Sequence, residues 1–431
     1  MRGKTLPGTD TSEDTSSRVI LHVDMDCFYV SCERLREPAL RDVPVIVGMG
    51  YESGETFGAV ATASYEARDY GIESAQPISQ ALEQLPRVDA NDADDNGIKI
   101  EQFGCYRPVD LDFYQLVAAE VKNILHDCAD TVREVSIDEA YLDVTDRTTW
   151  HQTDDGDRTL AEGYARYVKQ RIARTVGVPA SVGVAPNMST AKIASDHEKP
   201  DGLVVIKPGS VASFLSPLPV ESIHGVGPVT ADRLSELGVQ TAGDLAAADR
   251  EQLTEILDSR VETLSKRAMG DDDRDVTPTG KPQSLSRESA FAAASEDEAQ
   301  KRDAISGLAV DVAARANQRD ALYQTIGIKI VIPPYEVHTR ERSLSGPIEN
   351  PDLVVNIACE LLSEFEGEAA RKLGVRVSNL SFAAADQVQL NAREWDGDRS
   401  SVSISTVDSA ENETNETNKY PHDSRSNGQA S

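Results

Sequence analysis

HVDMDCFYVSCE, residues 22 to 33, joins an apolar strand to two aspartates and two aromatic rings. The run from Arg18 to Val23 is almost wholly apolar, as a strand covered on both faces should be. Asp24 ends it, Asp26 follows two positions on, and Phe28 and Tyr29 come at once. A carboxylate at the end of a buried strand is costly unless a cation or hydrogen-bond donors meet it. Asp26, on the departing chain, is expected to support the site rather than to act in it.

A second acidic pair lies in EVSIDEAYLDV, residues 134 to 144. Asp138 and Glu139 are consecutive, which on a flat strand would send them to opposite faces. At a hairpin corner both can converge, and Asp24 can point where Asp138 points from the neighbouring strand. An isolated Asp-Glu pair at a turn is usually solvated surface charge. Here the neighbours are apolar, and a third acid ends another strand. Three carboxylates gathered this way repel one another. Two divalent cations about 3.5 to 4 Å apart would relieve that repulsion and do chemistry.

The elements around these acids follow an order. Leu111, Tyr114, Ala118, Val121 and Leu125 give a helical period over Pro108 to His126. Two strands follow at Thr131 to Ile137 and Ala140 to Thr145. Leu160, Tyr164, Val168, Ile172 and Val176 mark a second helix, and Ala180 to Ala185 a strand before Pro186. The fold class is therefore α+β, with a ferredoxin-like β-α-β-β-α-β domain interrupted after its first strand by residues 28 to 105.

Further along, PLPVESIHGVGPVTADRLSELGV, residues 217 to 239, reads as a helix-hairpin-helix. Its Gly225-Val-Gly227 turn would let backbone N–H groups approach a phosphate. From about Ser284 to Leu380 a second β-α-β-β-α-β order can be drawn. His338, Arg340 and Arg342 alternate onto one strand face within it, and Arg371, Lys372 and Arg376 lie near its last strand. Together they are expected to form a basic sheet face for a polyanion. Near the first carboxylates, Tyr65 and Arg68 sit three apart on a helix and so share a side, and Lys192 comes early in another. Arg68 could grip phosphate oxygens bidentately while Lys192 acts as a point charge.

Composition sets limits on all of this. The chain has 431 residues, enough for several domains, and a net charge of −30 from 73 acids against 43 bases. The ends contribute little of that, so the surface of residues 18 to 395 is itself acidic. Such a surface suits a protein that avoids polyanions, or one working in molar salt, where the Debye length falls to about 3 Å. Five cysteines without a C-x-x-C pair give no disulfide or zinc pattern. The polar first 17 residues hold no signal-peptide core, no run approaches a membrane span, and a cytoplasmic monomer is expected. Residues 1 to 17 and 396 to 431 are polar low-complexity stretches, and DANDADDNG, residues 89 to 97, is an acidic loop.

HVDMDCFYVSCE, AVATASYEARDYGI, SIDEAYLDV and VGVAPNMSTAKIASDHEKPDG, taken in order with the helix-hairpin-helix, resemble the Y-family, translesion DNA polymerases. The match is nearest to the DNA polymerase IV branch and covers about residues 18 to 382. The resemblance implies a right-hand polymerase. Its palm would be residues 18–27 and 106–187, its fingers 28–105, its thumb 188–270, a linker 271–283 and a little finger 284–382. It makes Asp24, Asp138 and Glu139 the catalytic carboxylates and ligands, with the Met25 carbonyl, of two Mg2+ ions. Tyr29 becomes the gate against ribonucleotides. Tyr65, Arg68 and Lys192 become triphosphate contacts, with backbone N–H groups at Cys27, Phe28 and Tyr29. Gly225, Gly227, Arg340, Arg342 and Arg376 become DNA contacts. The implied activity is low-fidelity extension of a primer-template by deoxynucleoside triphosphates, without proofreading. A sliding clamp is the implied partner, through a degenerate peptide near Gln387 to Trp395. The acid excess points within this family to a halophilic, archaeal source. A nucleotide cyclase, which shares such a palm, and an inactive DNA-binding scaffold are the competing readings. The thumb hairpin argues against the first and the intact carboxylates against the second.

Overall fold

The computed structural model describes residues 17–49, 51, 58–86, 104–153, 156 and 158–382. The acidic stretch at 89–103, the residues before Ser17 and the tail with Gln387 to Trp395 lie outside the described residues. The chain divides into two units, Met1–Pro282 and Gln283–Ser431.

The first unit opens with β1 (Ile20–Met25) and α1 (Phe28–Arg36), then β2 (Val45–Met49), β3 (Ala59–Ala63), α2 (Tyr65–Arg68), α3 (Ile78–Gln84) and β4 (Cys105–Pro108). There follow α4 (Leu111–Cys128), β5 (Thr131–Glu134), β6 (Glu139–Asp143), α5 (Leu160–Thr175), β7 (Ala180–Ala185), α6 (Met188–His197) and β8 (Leu203–Val205). The main sheet runs β5-β6-β1-β7-β8. Leaving aside β8, the four strands of the β-α-β-β-α-β unit stand in the ferredoxin-like order 2-3-1-4. β1 is antiparallel to both β6 and β7, and β7 is parallel to β8.

The apolar character of β1 follows from its central place. Val19, Leu21, Val23 and Met25 pack into a core shared with Tyr114, Val121 and Leu125 of α4 and with Val168 and Ile172 of α5. Ile20, on the opposite face, meets Met188, Ala191 and Ala194 of α6. α6 comes unusually near the sheet because β7 carries Gly183 there. A Cβ at that position would lie 2.0 Å from the Ala191 carbonyl oxygen and 2.4 Å from the Ser195 nitrogen. The helix expected from Pro108 starts at Leu111, where the Asp110 side chain accepts the Phe113 N–H. The two hairpin strands are shorter than expected, leaving residues 135–138 as the connection that delivers Asp138.

Between β1 and α4 lies a small three-stranded sheet, β3-β2-β4. Ile46, Val60, Ala67, Ile72, Ile78 and Leu85 make its separate core. After β8 come α7 (Val211–Leu215), α8 (Pro228–Glu236), α9 (Ala242–Ala247), α10 (Arg250–Leu257) and α11 (Val261–Met269), packed around Leu215, Ile223, Leu234, Leu245, Leu253 and Leu264. The first helix of the expected hairpin is only a 3-10 turn, Val220–Ser222, and Gly225 at φ +104° makes the bend before α8.

The segment expected as a linker is packed onto this unit through Thr279. Val276 is buried against the α6 side of the sheet. Asp272 accepts the Ser189 N–H at 3.0 Å, in the first turn of α6. Arg18 donates to Asp275 at 2.9 Å, and Arg133 to the Thr277 carbonyl at 3.3 Å. Its polar composition reads as free chain, yet Asp272 and Asp275 accept hydrogen bonds from groups of the first unit.

The second unit contains β9 (Ser284–Ser295), α12 (Glu298–Asn317), β10 (Ala321–Ile332), β11 (Glu336–Ile348), α13 (Pro351–Leu362) and β12 (Ala370–Phe382). The element order repeats that of the first unit, but the strands stand as β11-β10-β12-β9, all antiparallel, which is a different sheet order. Ile326, Ile328 and Ile330 are buried on the helix side and pair with Arg342, Arg340 and His338. The two arginines therefore lie on the helix side too. Arg340 reaches Glu364 at 2.7 Å and stacks over Phe365, and Arg342 reaches Glu360 at 2.5 Å. Arg376, opposite Gly327 and Ser286, occupies the other, open face. The single basic face expected from His338, Arg340, Arg342 and Arg376 is thus divided between two sides of the sheet.

The open face holds its own charge cluster. Glu288, Gly374 and Lys329 form one cross-strand row. Because a Cβ on Gly374 would sit 2.8 Å from the Glu288 Cγ, the missing side chain lets Glu288 lie across β12. Its carboxylate meets Lys329 at 3.1 Å and also pairs with Lys372.

Gly183→Ala should destabilise the first unit by about 1 to 3 kcal/mol, because the methyl group must push α6 off the sheet. Urea unfolding at fixed salt measures this, and an unchanged midpoint would contradict the close packing at that point.

Candidate active site

The site is built where β1 ends. Side chains on one face of β1 recur every second residue, so His22 and Asp24 both face α6. Asp24 pairs in register with Glu139 on one side and Ser181 on the other. The hairpin connection is fixed to β1 by the Met25 N–H, which donates to the Asp138 carbonyl at 3.0 Å. The Ser136 hydroxyl holds the Asp138 carboxylate at 2.5 Å. Asp24, Asp138 and Glu139 thus come to one end of the sheet. Burial raises the Asp24 pKa to about 6, opposed by Lys199 and reinforced by the charges of Asp196 and Asp138.

Two lysines answer these acids. Lys199 donates to Asp24 at 2.8 Å and to Asp196 at 2.7 Å. Lys192, expected as a phosphate contact, is paired with Glu139 at 2.7 Å. Asp24 and Glu139 are each only 17% exposed, so neither ion pair is an ordinary surface pair. Glu139 would be raised by its burial, but hydrogen bonds from His22 and Lys192 hold it down at about 2. Among the described residues no three carboxylate, imidazole or thiol groups by themselves close around a cation.

Lys199 and His22 escaped the sequence reading. Lys199 follows the end of α6, where helical spacing says nothing of direction. His22 lies inside a strand read simply as apolar. Its ring is fully buried between Glu139, 2.6 Å from Nε2, and Ser195, 2.7 Å from Nδ1.

Asp26 plays the supporting part expected of it. It is 1% exposed and accepts from the Ser181 hydroxyl at 2.8 Å, the Asp201 N–H at 2.8 Å and the Tyr65 hydroxyl at 3.2 Å. The next residue, Cys27, takes the left-handed conformation at φ 34°, turning the chain abruptly into α1. That turn brings Phe28 and Tyr29 next to the carboxylates, with the first N–H groups of α1 unpaired within the helix. Tyr29 stacks on Tyr114 with ring centres 4.7 Å apart. Arg68 lies over the Tyr65 ring at 4.6 Å, so those two residues do share a side. In the hairpin turn, Arg267 binds the His224 carbonyl at 2.6 Å and Arg260 the Gly225 carbonyl at 3.1 Å.

Comparison with known proteins agrees with this geometry. The impB/mucB/samB family model matches residues 23–196, its C-terminal domain 282–392 and its helix-hairpin-helix motif 208–239. DNA polymerase IV of Halobacterium salinarum is 56% identical over 389 residues, 90% of each chain. The chain belongs to the Y family of DNA polymerases, in the DNA polymerase IV branch. DNA polymerase IV of Methanoculleus marisnigri is 37% identical over 88% of this chain and 98% of its own. Among solved structures, a Dbh–Dpo4 chimera of the Y family matches with a TM-score of 0.72 at 28% identity, covering 84% of this chain and 99% of that one. This polymerase is therefore a DNA-directed enzyme with the right-hand architecture. Its similarity to the Halobacterium relative supports the halophilic, archaeal origin that the charge suggests.

Asp26→Ala would leave the buried Ser181 hydroxyl and two partly buried donors, the Tyr65 hydroxyl and the Asp201 N–H, without their acceptor, at about 1 to 3 kcal/mol for the buried one and less for the others. A loss of about 2 to 4 kcal/mol in urea unfolding is expected, and a loss below about 1 kcal/mol would contradict the anchoring role.

Proposed function

We propose that this polymerase performs translesion synthesis, adding deoxynucleotides to a primer 3′-end with two Mg2+ ions and without proofreading. The observation that carries the reading is the gathering of Asp24, Asp138 and Glu139 at one end of β1, with lysine ammonium groups on two of them. The donor set suits the metal: carboxylates and the Met25 carbonyl are hard oxygen ligands, as Mg2+ prefers. A buried Asp24 that draws Lys199 onto itself is a carboxylate in need of a cation. When bound, Mg2+ would lower the pKa of the primer hydroxyl and neutralise the triphosphate.

The protein's own groups do the positioning. Lys199, exchanged off Asp24, is placed to meet phosphate oxygens, in addition to the Lys192 contact expected from sequence. Arg68, steadied by Tyr65, supplies a second cation, and the backbone at Cys27, Phe28 and Tyr29 supplies N–H donors. Tyr29, held flat against Tyr114, is the floor under the sugar and the gate against a 2′-hydroxyl. Arginines hold the His224 and Gly225 carbonyls and Val226 N–H donates to the Ile223 carbonyl at 2.9 Å, which leaves the Gly225 and Gly227 N–H groups to meet a DNA phosphate. In the second unit Arg376, Lys329 and Lys372, on the open face, replace Arg340 and Arg342 as the DNA contacts.

The palm, fingers, thumb and little finger follow the boundaries expected from sequence, except that residues 188–205, with α6 and β8 on the main sheet, and 271–279 go with the palm, and β4 goes with the fingers sheet. A monomer in the cytoplasm, reaching a sliding clamp through Gln387 to Trp395, completes the proposal. No helix among the described residues is long and apolar enough to cross a membrane.

Primer extension on undamaged and abasic templates in molar KCl tests this function. Wild type with Mg2+ should extend both, and Asp138→Ala should extend neither while still binding DNA. Extension only below 0.1 M KCl, or by Asp138→Ala, would contradict it. A second expectation concerns Glu288, whose single charge is shared between Lys329 and Lys372. Glu288→Gln should tighten DNA binding at low salt and steepen the slope of log K against log salt by about one. An unchanged slope would remove the open face from the DNA contacts.

A further inference from the structure

His22 is an anomaly in the middle of the palm. A wholly buried imidazole on an otherwise apolar strand costs desolvation unless both nitrogens are paired. Both are, with Glu139 at 2.6 Å and Ser195 at 2.7 Å. An ionised carboxylate can only accept, so Nε2 carries a hydrogen. In the neutral ring Nδ1 can only accept, so it shares the single Ser195 hydroxyl hydrogen with the Lys192 carbonyl, also 2.7 Å from that hydroxyl. Tyr141 packs against the ring with centres 4.5 Å apart, fixing its plane. Ser195 reaches Nδ1 because α6 lies against Gly183, the residue opposite His22 on β7. Lys192 donates to the same Glu139 oxygen, Oε1, at 2.7 Å. Among the described residues no hydrogen bond is made to Oε2.

We infer that His22 is a positioning residue for the polymerase reaction: backed by Ser195, it pins Oε1 so that Glu139 presents Oε2 to the bound cation. The inference rests on the metal-binding reading of Glu139. The chain Ser195–His22–Glu139 runs from helix to strand to ligand, and it removes the carboxylate's freedom to rotate before substrate arrives. Partners that orient metal ligands in this way typically govern affinity or activity by about 10- to 100-fold.

The test compares His22→Phe, which fills the space without a donor, with His22→Gln, whose amide can still donate to Oε1, and with Ser195→Ala. His22→Phe should lose about 10- to 100-fold in kcat and a similar factor in Mn2+ affinity, read by electron paramagnetic resonance without DNA. The KM for the incoming deoxynucleotide and the DNA Kd should stay near wild type. His22→Gln should recover most of both losses. Wild-type kcat and Mn2+ affinity in His22→Phe would overturn the inference, as would equal losses in both variants with a common fall in Tm. Should His22→Phe fail to fold, Ser195→Ala decides: lower kcat with weaker Mn2+ binding supports the inference, and wild-type values overturn it. Failure of the wild type itself to extend a primer with Mg2+ would instead overturn the proposed function.

Discussion

Placing a carboxylate at the end of a buried central strand is the constraint on which this structure turns. Asp24 stands one residue from the end of β1, and burial pushes its pKa to about 6, with the charge of Asp138 adding to the rise. Positive charge has to be supplied, and the chain supplies it from α6 and the residue segment just after it. Gly183 admits that helix, and Asp272 accepts an N–H from its first turn. Asp26 anchors the strand end to Tyr65, Ser181 and Asp201. The end of the sheet that gathers the carboxylates is thus held by a small number of buried and partly buried polar contacts.

The acidity of the chain has the same logic in reverse. Cationic side chains that would ordinarily wait for phosphate are met by the protein's own carboxylates. Lys199 lies on Asp24, Lys192 on Glu139, and Lys329 and Lys372 on Glu288. Arg340 and Arg342 are taken up by Glu364 and Glu360. Under the proposed function a nucleic acid or triphosphate would exchange one anion for another at the four lysines, while the two arginine pairs stay on the helix side. Such an exchange loses less to molar salt than contacts between bare lysines and phosphates, because fewer counterions change hands.

Much of this was legible in the sequence, and the rest was hidden for identifiable reasons. The apolar run into Asp24, the SIDEAYLDV hairpin and the helical periods carried the ferredoxin-like palm. Those signals are local and periodic. Alternation correctly put His338, Arg340 and Arg342 on one face of β11. Which face it was depended on register with Ile326, Ile328 and Ile330 of β10, a fact of tertiary pairing. Lys192 and Lys199 occur in one short stretch, and helical spacing cannot say which reaches Asp24 once the helix has ended at His197. His22 was invisible because its partners are 117 and 173 residues away along the chain. The docked segment around Val276 looked like linker because its contacts are polar and distant.

The central claim is that lysine ammonium groups hold places later taken by divalent cations. Anomalous diffraction from a complex of the protein with Mn2+, primer-template and a non-hydrolysable deoxynucleotide measures it directly. Two peaks among Asp24, Asp138 and Glu139, with Lys199 moved off Asp24 and onto phosphate, are the predicted result. Lys199 still on Asp24, or peaks that do not touch those three carboxylates, would contradict the account.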